Sequence, residues 1–337
     1  MPIGADLILH EQPDPGRIRL DSARLGEVVA EAARQFATPL AFPVMDLTLE
    51  KVGLVRRFGV ADDEAESFRF SAVPSLAERD DFFRHLTSAA PTARVAANLG
   101  AIQQVGQHPG LLPIGMSIGP FSLASKLMAD PITPVYLAGS EAEDGGAEEI
   151  ALLEFCLEVS LAYVLRYLDL QIAAGAQAVF IAEPAANKVY FSPKQIAAGS
   201  DIFARYALAP NRRIAERLAE RGVELMFHCC GELTDEMLDG ICALRPALLS
   251  LGSSRRLWED AARVPGDVAL YGNLPSKQFY SDSTMPLERV GELAADLAAR
   301  MAATGHPFIL GTECDVLAVP GAARTILGKV RRMLQKD

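Results

Sequence analysis

One pattern limits what this 337-residue chain can fold into: short apolar runs, each closed by glycine, proline or polar residues and followed by a helical stretch. Seven such runs are clear, at 39–46, 111–120, 178–184, 224–231, 247–253, 267–273 and 307–314. An eighth, "SFRFSAV" at 67–73, alternates as a half-buried strand would, although Arg69 lies in its alternation. Amphipathic helical stretches lie between the runs, at 22–36, 148–175, 211–222 and 287–305, and several end in glycine, the usual helix stop. Strands that alternate with helices pair in parallel through crossover helices, and nearly continuous apolar strands are buried on both faces.

Eight units predict an α/β fold, a single (β/α)8 TIM barrel. The competing doubly wound sheet lacks its usual support, because no run carries a G-x-G-x-x-G dinucleotide fingerprint. Residues 1–25 read as an N-terminal extension and 26–337 as the barrel. No repeat or low-complexity linker divides the chain. Two stretches read as excursions: the proline-rich residues 1–20, as an arm or oligomer contact, and the acidic residues 130–149, as a mobile lid.

Charge narrows the function classes. The formal net charge is −11 and the 32 basic residues are dispersed, so the chain lacks the footprint of a nucleic-acid binder. The N-terminal residues meet acidic groups and prolines before any apolar core, unlike a secretory signal, so a cytoplasmic location is expected. The longest apolar stretch, 151–165, is broken by Glu154 and Glu158 and is too short to span a bilayer, which makes it a core helix and not a membrane anchor. Five cysteines in such a chain are expected to stay reduced, leaving packing, metal binding or catalysis as their uses.

Barrel chemistry gathers at the C-terminal ends of strands. Those ends deliver Asp46, Ser117, Glu183, His228 with Cys230, Asn273, and the run Glu313, Cys314, Asp315. In an extended "LMFHCC", alternate side chains share a face, so His228 and Cys230 point one way and Cys229 the other. A catalytic zinc takes three protein ligands and keeps one position open, and Cys314 is the other cysteine at a strand end. The plainer reading is that these thiols pack in the core and the histidine bonds a carbonyl. A cysteine–histidine nucleophile is a further alternative, though it leaves Cys314 unused. Asp46 and Glu183 are candidate catalytic carboxylates or caps of following helices; Ser117 and Asn273 are candidate substrate-binding groups or turn residues. Cys156 and Cys242 read as core.

The sequence resembles the uroporphyrinogen decarboxylase superfamily, and within it the corrinoid-protein methyltransferase branch, which includes methylcobalamin:coenzyme M methyltransferases. The resemblance runs from about residue 38 onward through "FPVMDLTLE", "PTARVAANLGAI", "IGPFSLAS", "AGAQAVFIAEPAANKVYFSP", "HCCG", "YGNL" and "ILGTECDV". It implies a zinc site on His228, Cys230 and Cys314. It also implies methyl transfer between a corrinoid (methylcobalamin), carried by a separate small corrinoid-binding protein, and a small-molecule acceptor such as a thiol. The decarboxylases' arginine-rich "RQAGRY"-type motif has no counterpart here, and "GRIRL" at 16–20 is a poor substitute. Two departures touch the acceptor: "GTECDV" lacks the glycine that tends to flank this cysteine, and Cys229 is an added thiol. A uroporphyrinogen decarboxylase-like carboxy-lyase and a barrel that binds a ligand or partner without turnover are the alternatives.

Overall fold

The structure, a computed structural model, describes residues 5–140, 146–316 and 319–334. Among them, seven parallel strands follow one another in chain order: β1 (Leu40–Ala41), β2 (Leu112–Ile118), β3 (Ala178–Ala182), β4 (Glu224–Cys229), β5 (Leu248–Leu251), β6 (Ala269–Leu274) and β7 (Phe308–Thr312). Each strand pairs with its chain neighbour, as right-handed crossovers through helices require, and the sheet curls as a (β/α)8 barrel does.

The eighth strand expected at 67–73 is absent, and β1 pairs directly with β2, leaving no slot for it. Phe68 and Phe70 of that segment stack edge-on at 4.9 Å, and Phe70 also meets Phe58 and Phe155. Local alternation was real, but an aromatic cluster outside the sheet satisfies it. The expected run at 39–46 also shortens to two strand residues. No pairing joins β7 back to β1 among the described residues. An apolar cavity of about 410 Å³ lies between these edges, lined in part by Leu40, Phe42, Ile309 and Met333, and it contains none of the strand-end polar residues.

Two apolar layers hold the sheet. Phe42, Ile114, Met116, Phe180, Met226 and Tyr271 fill the barrel interior, while Val179, Ile181, Leu225, Phe227 and Cys229 face the surrounding helices. Each large side chain so enclosed contributes about 1.5–3 kcal/mol. The long helix Ala147–Ala173 buries Leu153, Cys156, Ser160, Tyr163, Tyr167 and Gln171, a stripe at intervals of three and four residues. Its Glu154 and Glu158 turn outward to Tyr206 and Arg79. No helix among the described residues is long and apolar enough to cross a membrane.

The N-terminal segment is docked onto the barrel. Leu7, Leu9 and Ile18 are buried, and Arg19 closes the segment with a 2.8 Å bond to Asp6. The boundary expected at residue 25 falls inside the helix Ser22–Gln35. Of the acidic stretch 130–149, residues 132–138 form a helix whose first amides are capped by Asp130, and residues 141–145 lie outside the described residues.

Candidate metal centre

Period-two alternation on β4 decides which side chains reach the barrel mouth. Leu225, Phe227 and Cys229 face the helices, and Met226 faces the interior. His228 follows Met226 on the interior face, where its ring stacks on Phe180 with centroids 5.4 Å apart. Cys230 lies one residue past the strand. Gly252, at the end of β5, permits this, since a Cβ there would stand 2.4 Å from the Cys230 carbonyl oxygen. Cys314 arrives from the end of β7, where the Thr312 hydroxyl donates to its carbonyl at 2.6 Å.

One ligand atom each from His228, Cys230 and Cys314 lie within 4.8 Å of one another. His228 is 1% exposed. Its Nδ1 lies 2.9 Å from the hydroxyl of Ser250 on β5, the residue in register with it, while its Nε2 is buried with no hydrogen-bond partner. An orphaned buried polar atom costs about 1–3 kcal/mol. A nitrogen lone pair and two sulfurs, converging at that spacing, fit the nitrogen and thiolate donors that zinc takes.

The Cys230 thiol is pushed down to about 4, first by the hydrogen bond it receives from Cys314 and then by His228 and the nearby Lys277 charge, against the opposing effect of burial. Cys314 moves up because it donates to Cys230 and is itself buried. Cys229, wholly buried, is pushed up by desolvation.

The remaining strand-end residues fall in different places. Asp46 accepts from Thr48 through its backbone amide (3.1 Å) and hydroxyl (2.8 Å), and forms a close ion pair with Arg94. Burial alone would raise its carboxyl, but the Arg94 charge and the Thr48 bonds outweigh that and hold it below the usual range. Glu183 is 0% exposed. It accepts from the amides of Phe121 (3.3 Å) and Ser122 (2.6 Å) and from the Asn211 side chain (2.9 Å). It thus caps the helix Pro120–Lys126 across the sheet, not the helix that follows it in sequence. Gly119 makes room for it, since a Cβ there would lie 2.1 Å from a carboxylate oxygen. Ser117 is buried and donates to the Ile118 carbonyl at 3.1 Å. Asn273 spends both amide protons on the carbonyls of Gly252 and Arg255, at 2.8 and 2.9 Å, so a substrate could reach it only through its carbonyl oxygen.

Sequence reasoning missed Ser250, Arg94 and Glu50. Ser250 had a signal, as the polar residue in the leucine-rich β5. Glu50 is buried behind β2, where one carboxylate oxygen accepts the Ile118 amide at 3.1 Å and the other has no partner. Its carboxyl is raised to about 7, chiefly by desolvation.

Residues 71–320 match the family described as Uroporphyrinogen decarboxylase (URO-D). The chain belongs to the uroporphyrinogen decarboxylase family. Relatives carry two names. Methylcobamide:CoM methyltransferase MtbA of Methanosarcina acetivorans is 30% identical over 144 residues, which are 42% of this chain and 38% of the relative. MtbA of Methanosarcina mazei is 27% identical over 146 residues, 43% of this chain and 38% of the relative. The uroporphyrinogen decarboxylase of Methylibium petroleiphilum is 28% identical over 239 residues, 66% of this chain and 57% of the relative. The chain thus spans well under half the length of the methyltransferases it matches. A solved methyltransferase from Methanosarcina mazei superposes with a TM-score of 0.67 over 97% of this chain and 88% of its own, at 16% identity, which establishes the shared barrel fold.

Proposed function

We propose that this member of the uroporphyrinogen decarboxylase family is a zinc-dependent methyltransferase, moving a methyl group between a corrinoid held by a separate small protein and a small acceptor, most simply a thiol. The observation that carries the reading is the buried, unpartnered Nε2 of His228, which converges with the sulfurs of Cys230 and Cys314. MtbA-type relatives support the reaction class.

His228, Cys230 and Cys314 would hold the ion. Bound there, zinc would favour the thiolate form of an acceptor and so supply a nucleophile usable near neutral pH. Ser250 holds the His228 ring so that Nε2, not Nδ1, faces the thiols. Phe180 stacks on the ring face and would help to shield it. Asp46 stays ionised beside Arg94, which suits it to orienting a polar acceptor better than to taking a proton. Glu183 and Asn273 hold the loops that frame the mouth, and Ser117 sits behind it. Transfer to a thiol would break the donor's cobalt–carbon bond, leave its electron pair on the corrinoid and form a thioether, the thiol proton passing to solvent.

A carboxy-lyase is the second reading, favoured by the larger share of the decarboxylase relatives that the chain covers. Incubating zinc-loaded protein with methylcobalamin and a panel of small thiols separates the two. Loss of methylcobalamin absorbance together with a methyl thioether in the mass spectrum supports the methyltransferase. Carbon dioxide released from uroporphyrinogen, with no methyl transfer, supports the lyase. Neither activity leaves a barrel that binds without turnover.

A further inference from the structure

Lys329, on the C-terminal helix Ala323–Leu334, keeps only 1% of its side chain exposed. Its Nζ donates to the Phe279 carbonyl at 2.9 Å and lies 2.9 Å from the Asp282 carboxylate. Both acceptors belong to the loop that leaves β6. Burying an ammonium is costly unless its hydrogen bonds are met, and an apolar residue of similar length would cover the same contact more cheaply. What the ammonium adds is a fixed geometry for that loop.

The near end of the loop meets the metal centre. Ser276, 1% exposed, points its hydroxyl at the carbonyls of Cys314 (3.0 Å) and Asp315 (3.3 Å). The short turn Ser276–Gln278 links the two contacts, with the Phe279 amide bonded to the Ser276 carbonyl at 3.0 Å and the Phe279 ring fully buried. Cys314 stands two residues past the end of β7, beyond the strand ladder, so hydroxyls from Thr312 and Ser276 hold its carbonyl instead.

We propose that Ser276 and Lys329 are positioning residues for the metal centre, a latch through which the C-terminal helix sets the place of the third ligand, Cys314. The inference rests on the zinc reading of His228, Cys230 and Cys314. A latch of this kind acts on metal affinity and ligand-field geometry. Packing alone would act on fold stability and leave both unchanged.

Cobalt(II) titration of the full chain, followed by the thiolate-to-cobalt charge-transfer band and by competition with a chelator, tests it in Ser276→Ala and Lys329→Met. Circular dichroism establishes folding before metal is added. The latch predicts cobalt affinity at least about tenfold weaker in both folded variants, with a shifted band. Wild-type affinity and spectrum in either folded variant overturn it. Ser276→Ala, which removes one hydroxyl, decides alone if Lys329→Met does not fold. A wild-type chain that takes up neither cobalt nor zinc removes the zinc reading and the latch together, whereas normal uptake in all three proteins removes only the latch.

Discussion

His228 and Ser250 face each other in register across β4 and β5, and the serine hydroxyl stands 2.9 Å from the imidazole Nδ1. That bond ties Nδ1 to β5 and leaves Nε2 as the ring nitrogen free to meet the two thiols. Ser250→Ala is therefore expected to weaken metal binding by about 10- to 100-fold, as loss of a partner that orients a ligating histidine does elsewhere. Competition with a chelator measures it, and unchanged affinity would show that packing against Phe180 suffices to orient the ring.

Glu183 carries a different expectation. Replacing it with alanine leaves the amides of Phe121 and Ser122 and the side chain of Asn211 without their acceptor inside the core. Such a loss costs about 3 kcal/mol or more. Urea unfolding of Glu183→Ala should show it directly. If stability held while methyl transfer disappeared, Glu183 would belong among the groups that touch substrate.

Glu50 makes stability depend on pH. Its folded carboxyl is raised from 4.5 to about 7, so the fold favours the protonated form. The contribution is fully present below the unfolded value near 4.5 and is lost as pH rises through 7. Glu50→Gln cannot ionise. Wild type should therefore lose up to about 3 kcal/mol relative to this variant between pH 4 and pH 8. Urea midpoints at the two pH values check this, and parallel profiles would mean that Glu50 ionises without penalty.

How far the sequence could be read depended on the range of each interaction. The interior side of β4 was legible because period two is a local property, and it separated Cys229 from His228 correctly. Seven of the expected strands form for the same reason. At 67–73 the same rule misled, because Phe68 and Phe70 satisfy their alternation against Phe58 and Phe155 instead of a neighbouring strand. Glu183 read as a catalytic carboxylate or a cap for its own downstream helix, but its two amide donors lie 61 and 62 residues upstream, and no local pattern contains that pairing. Arg94 was hidden likewise, 48 residues from Asp46.

The central claim is that His228, Cys230 and Cys314 hold zinc, and elemental analysis after exhaustive dialysis tests it most directly. Wild type and Cys229→Ala are expected to retain one zinc per chain, since Cys229 faces the helices. Cys230→Ser and Cys314→Ser are each expected to lose it. Full zinc in both serine variants, or none in wild type, would contradict the account.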